Sequence, residues 1–407
     1  MQKKLVLFGA GKIGRSFIGQ LFSKGGYEVV FVDVFLPVIE ELNRRREYDV
    51  VIKGINESVI KVKNVRGVYA GNEDEVINEI CNARIVATAV GQNGLPAIFP
   101  LLARGLECRL HHYPESPLDI VIAENLRNAA QYFEDELKKY LPAIYPFTEM
   151  VGLVETSIGK MVPLMTQKDL QQDVLQVFAE EYNTLILDKK AFKNPIPKIE
   201  GLAPKENMKA WVDRKLFIHN LGHAAAAYLG FLYNQKFIYL WEVLEIREVF
   251  SEVREIMQQS AAALLKKYPN EFTKESLQNH IDDLLARFLN HALGDTLFRV
   301  GCDLPRKLGS DDRLAGAIKL AIEMNLPYQK ILKALVCGCR FRAAGEDGKM
   351  LQSDIEFAQI YETGIRNVLT DVCGFEEIGD KLLIEEAGKM DKEIILSVLA
   401  NSTLIPE

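Results

Sequence analysis

Apolar and polar residues follow two different patterns along the chain, and the pattern changes about halfway. In the first half, short apolar runs rich in β-branched residues at 5–8, 28–32, 85–89 and 120–122 alternate with stretches of helical spacing, the first of them at 13–24. Continuous runs this short read as strands buried on both faces. Strands alternating with helices imply a parallel α/β sheet. Two more runs, 59–62 and 65–69, are candidate strands. From about residue 207 onward, apolar positions recur at three- and four-residue spacing over 210–228, 244–267, 274–293, 312–324 and 328–340, as in amphipathic helices. Pro195, Pro197 and Pro204 mark 193–205 as the connector. The expected fold class is α/β: a Rossmann-type parallel-sheet domain over 1–200, then a mainly α-helical substrate and catalytic domain over 201–407.

Composition adds boundaries to this picture. A chain of 407 residues is long for one core, in keeping with two domains. With 48% hydrophobic and 26% charged residues it has the balance of a soluble globular protein. No apolar run approaches the roughly 20 residues of a membrane span. The start, Met1-Gln2-Lys3-Lys4, lacks the apolar stretch of a signal peptide, so the cytoplasm is the expected location. A net charge of −7 disfavours a non-specific nucleic-acid surface. The six cysteines have no metal-like or redox CxxC spacing, which makes buried free thiols the expectation.

Chemistry enters at the first strand. Residues 5–14 (LVLFGAGKIG) run from a strand into a glycine turn and then a helix. Gly9 permits the turn, Gly11 lets the backbone approach a pyrophosphate, and Gly14 allows the helix to pack on the strand. Ala10, Lys12 and Ile13 complete the turn at the helix N-terminus, where phosphates bind. Asp33 ends the second strand, where an acid accepts hydrogen bonds from the adenosine ribose. Its charge would repel a 2′-phosphate, so NAD is the expected cofactor rather than NADP. A second small-residue turn, Thr88-Ala89-Val90-Gly91, follows a later strand, and Thr88 and Val90 are candidate cofactor neighbours.

In the second half, residues 215–223 (KLFIHNLGH) place Lys215, Asn220 and His223 within an arc of roughly 140° on an α-helix at about 100° per residue. These are the groups that a metal-free alcohol dehydrogenase needs. A desolvated lysine takes the hydroxyl proton, an asparagine amide donates to the developing alkoxide, and a histidine orients the substrate. His219 and His223 also have the i, i+4 spacing of a metal pair. No HExxH glutamate or further histidine accompanies them, and no metal is expected.

Three ordered blocks carry a family resemblance. Residues 8–19 (FGAGKIGRSFIG), 214–224 (RKLFIHNLGHA) and 299–308 (RVGCDLPRKL), the last followed by DRL at 312–314, resemble the polyol-specific long-chain dehydrogenases, the mannitol dehydrogenase family. The resemblance implies Lys215 as general acid/base, His223 as substrate-orienting group, and Asn220 with Asn125 as an oxyanion pair. It implies Arg299 and Lys307 as substrate contacts. Two cations there suit a phosphate or a hydroxyl-rich chain.

Departures from the family pattern fall near these contacts. Gly159 stands where the family carries an acid, Lys160 where it carries an arginine, Cys302 replaces another arginine, and His291 stands where proline is common. Lys160 is therefore a candidate substrate contact.

The implied reaction is reversible hydride transfer between NAD(H) and a sugar phosphate, mannitol 1-phosphate to fructose 6-phosphate, in a cleft between the domains. Reduction of a hexuronate (tagaturonate or fructuronate), oxidation of unphosphorylated mannitol, and an inactive NAD(H)-binding regulator stay open. The expected partner is a sugar phosphate or polyol, with neither nucleic acid nor membrane, and nothing in the sequence marks an oligomeric state.

Overall fold

The computed structural model describes residues 3–402 apart from residues 55, 164 and 166. Its first unit, Met1–Val212, contains the strands β1 (Lys4–Phe8), β2 (Glu28–Asp33), β3 (Glu47–Ile52), β4 (Ser58–Lys63), β5 (Val65–Tyr69), β6 (Ile85–Thr88), β7 (Leu118–Ile122), β8 (Val151–Ile158), β9 (Val177–Ala179), β10 (Leu185–Asp188) and β11 (Leu202–Lys205). β1 lies centrally because no polar side chain follows Lys4 in it. Leu5 and Leu7 enter the core on one face of the sheet, Val6 and Phe8 the core on the other. Burying each such side chain stabilises the fold by about 1.5–3 kcal/mol.

Across the larger sheet the strands run β11-β10-β8-β7-β6-β1-β2-β5. The six from β8 to β5 are mutually parallel. Counted along the chain they give the order 3-2-1-4-5-6 of a dinucleotide-binding Rossmann sheet. A topological switch point therefore lies at the carboxyl ends of β1 and β6, where both glycine-containing turns emerge.

Four runs expected as strands form β1, β2, β6 and β7, and the two further candidates form β4 and β5. β4 does not join the main sheet; it pairs antiparallel with β3, and β3 pairs parallel with β9. β3, β8, β9, β10 and β11 have no clear sequence signature. β8, for example, ends in Glu155-Thr156-Ser157, which interrupts its apolar run. The expected connector is partly structured, since β11 pairs parallel with β10. Pro204 is tolerated there because β11 is an edge strand.

The second unit, Asp213–Glu407, is helical. Its centre is the helix Leu221–Tyr233, whose residues Ala224 to Tyr228 are fully buried. A helix apolar on all sides needs neighbours all round. Small residues admit them: a Cβ on Gly230 would lie 2.2 Å from Val243, and one on Gly222 2.6 Å from Met257. The expected helices appear as Arg247–Lys267, Lys274–Phe288, Ala315–Glu323 and Gln329–Cys339. No helix among the described residues is long and apolar enough to cross a membrane.

Candidate active site

The glycine turn divides its three glycines by physical role. Gly9 has φ +97°, and a Cβ there would lie 2.4 Å from the Ala89 carbonyl oxygen. A Cβ on Gly14 would lie 2.0 Å from the Gly9 carbonyl oxygen. Both are glycine for internal packing. Gly11 differs: its Cβ would meet nothing within 4 Å. Fold packing does not require glycine at this position, whereas close approach of a pyrophosphate does.

The Ala10 N–H donates to Asp33 Oδ2 at 2.7 Å, and the Phe35 N–H donates to Asp33 Oδ1 at 2.9 Å. Asp33 thereby ties the end of β2 to the turn. A cavity of about 560 Å³ opens beside it, lined by Gly9, Gly11, Asp33, Tyr69, Ala89 and Val90 among others. Ile98 and Leu101 give it an apolar wall suited to an adenine ring. Lys12 is exposed and Ile13 half-buried, and neither lines this cavity. Thr88 does not line it either. Its side chain is buried at the end of β6, while its carbonyl accepts from the Ala123 N–H at 2.9 Å.

Glu124 is a residue that sequence reasoning missed. Its Oε1 accepts from the Val90 N–H at 2.8 Å and its Oε2 from the Gly91 N–H at 3.0 Å, so one carboxylate shapes the second turn. Burial raises its pKa, with those two backbone donors pulling the other way. An acid two residues beyond the wholly buried β7 was the available signal. Asn125 is exposed, and its carbonyl accepts from Gln92 Nε2 at 3.1 Å.

Lys160 also belongs to the first unit. It is 6% exposed, and its Nζ donates to the Tyr182 carbonyl at 2.8 Å and to Asn183 Oδ1 at 3.0 Å. These bonds engage the ammonium within the first unit's own fold. Gly159 has room for a Cβ, which would meet the Tyr182 ring at an ordinary 3.6 Å.

In the second unit, the helix that bears the lysine is not α throughout. Met208–Arg214 is α-helical, Lys215–Asn220 is a π-helix, and α-geometry resumes at Leu221. A π turn has about 4.4 residues, so Lys215, Asn220 and His223 fall within roughly 60° instead of the roughly 140° of an unbroken α-helix. The π segment tightens the alignment that the spacing suggested. Burial, with the nearby Arg313 cation, lowers the Lys215 pKa from 10.5 to about 8.

His223 Nε2 lies 3.0 Å from Asp295 Oδ2, and its ring stacks on Phe288 with centroids 4.7 Å apart. Burial drives its pKa well below 6.5, and the Arg299, Lys307, Arg313 and Arg287 cations add to the shift. The imidazole is therefore neutral, and a hydrogen bond to a carboxylate places its proton on Nε2. That leaves Nδ1 as an acceptor. Asp295, missed in the sequence, also pairs with Arg299 one turn on.

Lys307 is buried, and its Nζ donates to the Val300 carbonyl at 2.7 Å. Burial first, then Arg313, lowers its pKa to about 8. Arg313, held by Asp312 at 2.7 Å, is the cation that sequence reasoning did not single out. Cys302 Sγ contacts the Arg299 carbonyl at 3.8 Å. His291 stacks on Trp241 at 4.0 Å and meets Glu245 at 3.2 Å.

Comparison with known proteins matches the two halves of the chain in turn. Residues 3–201 match the mannitol dehydrogenase Rossmann domain, and residues 207–394 match the mannitol dehydrogenase C-terminal domain. The chain is 34% identical over 377 residues to a mannitol-1-phosphate 5-dehydrogenase of Lactococcus lactis subsp. cremoris strain MG1363, covering 90% of this chain and 95% of that one. Among solved structures it shares its fold with a substrate-free D-sorbitol dehydrogenase (TM-score 0.80, 16% identity, 97% of this chain and 93% of that chain). It likewise resembles a Pseudomonas fluorescens mannitol 2-dehydrogenase solved with NAD and D-mannitol (TM-score 0.75, 14% identity, 100% and 95% covered). With both of its units matched in order, the chain belongs to the mannitol dehydrogenase family.

Proposed function

We propose that the protein is an NAD-dependent dehydrogenase that interconverts mannitol 1-phosphate and fructose 6-phosphate. The observation that carries this reading is the half-buried Lys215, its amine pKa lowered by desolvation to about 8, on one helical face with Asn220 and His223. A group with that pKa changes protonation state near neutral pH, as a general acid/base must. The open space at Gly11, the Asp33 carboxylate and the adjoining cavity fit NAD.

In the oxidative direction, Lys215 Nζ takes the proton of the reacting hydroxyl. The Asn220 amide donates to the oxygen as negative charge builds on it, a stabilisation that acts mainly in the transition state. His223 Nδ1 accepts from a second hydroxyl and fixes the sugar chain. NAD, when bound, supplies the hydride acceptor. In the reverse direction Lys215 returns its proton to the carbonyl oxygen.

The phosphate is the part of the substrate for which the cations argue. Arg299, Lys307 and Arg313 all act on His223 electrostatically, and among the described residues Lys307 has no carboxylate at salt-bridge distance. A dianionic phosphate supplies the charge that this cluster lacks. Lys160, held by Tyr182 and Asn183, is proposed to support the fold of the first unit rather than to contact substrate.

The test is NADH oxidation in the presence of EDTA with fructose 6-phosphate, fructose, tagaturonate and fructuronate. Fructose 6-phosphate is expected to give the highest kcat/KM. An equal or higher value with fructose or either ketouronate overturns the substrate assignment.

A further inference from the structure

Cys81 ends the helix Glu73–Cys81, and Cys108 and His112 lie one turn apart at the end of the helix Leu95–His112. The metal-ligating atoms of these three side chains all lie within 4.8 Å of one another, the only such trio of His, Cys, Asp or Glu among the described residues. Both helices end just before their following strands, β6 and β7, begin. The trio thus sits by the amino-terminal edge of the parallel sheet, whereas the glycine turn leaves its carboxyl edge.

The geometry points to a binding site for a zinc-class cation formed by Cys81, Cys108 and His112, separate from the nucleotide-binding turn and unconnected with catalysis. Zinc bonds to sulfur at about 2.3 Å and to imidazole nitrogen at about 2.0–2.1 Å, so a tetrahedral S···N edge is about 3.6 Å. Cys108 Sγ and His112 Nδ1 are 3.7 Å apart. Two thiolates and one imidazole are a soft donor set that selects a d10 ion over magnesium or calcium. Cys81 is buried, Cys108 half-buried and His112 exposed, which gives an entry path and leaves a fourth position for water.

The frame holding these groups is rigid. The Arg109 guanidinium donates to the Cys81 carbonyl at 2.9 Å and the Ala83 carbonyl at 2.8 Å, locking one helix end to the other. One turn earlier the helices touch: a Cβ on Gly105 would lie 2.5 Å from Ile80. Arg109 also offsets the negative charge of the thiolates.

On binding, the two thiols release their protons to solvent. His112 Nδ1, now 2.9 Å from the Cys108 carbonyl, shifts its ring proton to Nε2. The bound dication and two thiolates are then neutral overall.

The full-length protein, reduced and stripped of metal, is titrated with Cd²⁺ while the thiolate-to-cadmium ultraviolet band is read, then with Zn²⁺ in competition. One equivalent is expected to bind. Cys108→Ser and His112→Ala are each expected to weaken it about tenfold or more, while Cys302→Ser leaves it unchanged. His112 is exposed, so His112→Ala tests the site without threatening the fold. Zn²⁺ is also expected to raise Tm in the parent and not in Cys108→Ser. Absence of the band, or a titration that neither Cys108→Ser nor His112→Ala alters, overturns the inference. NADH affinity is unaffected in either case, so the result is independent of the proposed dehydrogenase activity.

Discussion

Asp295 and His223 are joined by a 3.0 Å hydrogen bond across 72 residues of chain, and the carboxylate is 5% exposed while the imidazole stacks on Phe288. A buried carboxylate holding one ring nitrogen decides which nitrogen is left as an acceptor. Asp295→Asn keeps the shape and permits the other tautomer. It is expected to lower kcat/KM for fructose 6-phosphate by about 10- to 100-fold, with NADH affinity unchanged in fluorescence titration. A ¹⁵N spectrum of the ring is expected to show loss of the Nε2-protonated form. An unchanged tautomer with the same rate loss would reduce Asp295 to a packing role.

In the proposed mechanism Lys215 sets the pH dependence. Its pKa is lowered from 10.5 to about 8, so its amine is protonated below about pH 8 and neutral above it. Polyol oxidation needs the neutral base, and kcat/KM in that direction should rise with pH and level off above about 8. Ketose reduction needs the protonated acid and should fall over the same range. Lys215→Met should abolish turnover in both directions while NADH still binds. Persistence of the inflection in residual Lys215→Met activity assigns it to another group.

Gly11 and Gly14 make a controlled pair. Gly11→Ala places its methyl in open space, so Tm should hold while the Kd for NADH rises by about tenfold or more through loss of close pyrophosphate approach. Gly14→Ala drives a methyl into the Gly9 carbonyl and should cost about 1–3 kcal/mol of stability. Thermal melts together with NADH titrations separate the two. Equal losses of Tm would remove the argument that Gly11 is kept open for the cofactor.

Lys307 should report on the phosphate. Lys307→Met retains much of the buried chain and removes the charge. It is expected to raise KM for fructose 6-phosphate about tenfold or more, with little effect on the slow turnover of fructose. A matched loss on both sugars, measured as kcat/KM, would show that Lys307 supports the Val300 turn and does not select phosphate.

Asp33 is proposed to carry the coenzyme preference. Asp33→Asn removes the charge but keeps an oxygen for the Ala10 N–H. The ratio of kcat/KM for NADH over NADPH should fall about tenfold, since charged hydrogen bonds contribute about 1.5–3 kcal/mol. A constant ratio would place the selection elsewhere.

Much of the first unit could be read from local pattern. β1, β2, β6 and β7 are short apolar runs flanked by turns, and buried parallel strands leave that trace because both faces must be apolar. β8 left none, because polar residues interrupt its apolar run. The helical unit was legible from its three- and four-residue spacing. Its π segment was not, because the residues from Lys215 to Asn220 carry no composition that separates π from α.

The sequence by itself determined the glycine turn with its acid at Asp33 and the ordered lysine, asparagine and histidine. The glycines and the lysine, asparagine and histidine depend on spacing within a few residues, and Asp33 on its fixed place at the end of the second strand of a βαβ unit. Only the tertiary structure brought Asp295 to His223, Glu124 to the Val90 turn, Arg313 to the surroundings of Lys215, and Cys81 to Cys108 and His112. Those partners come from other strands and helices, and their meeting depends on how whole elements pack. The same distance effect turned Lys160 inward: Tyr182 and Asn183, some twenty residues on, supply the oxygens that its ammonium holds.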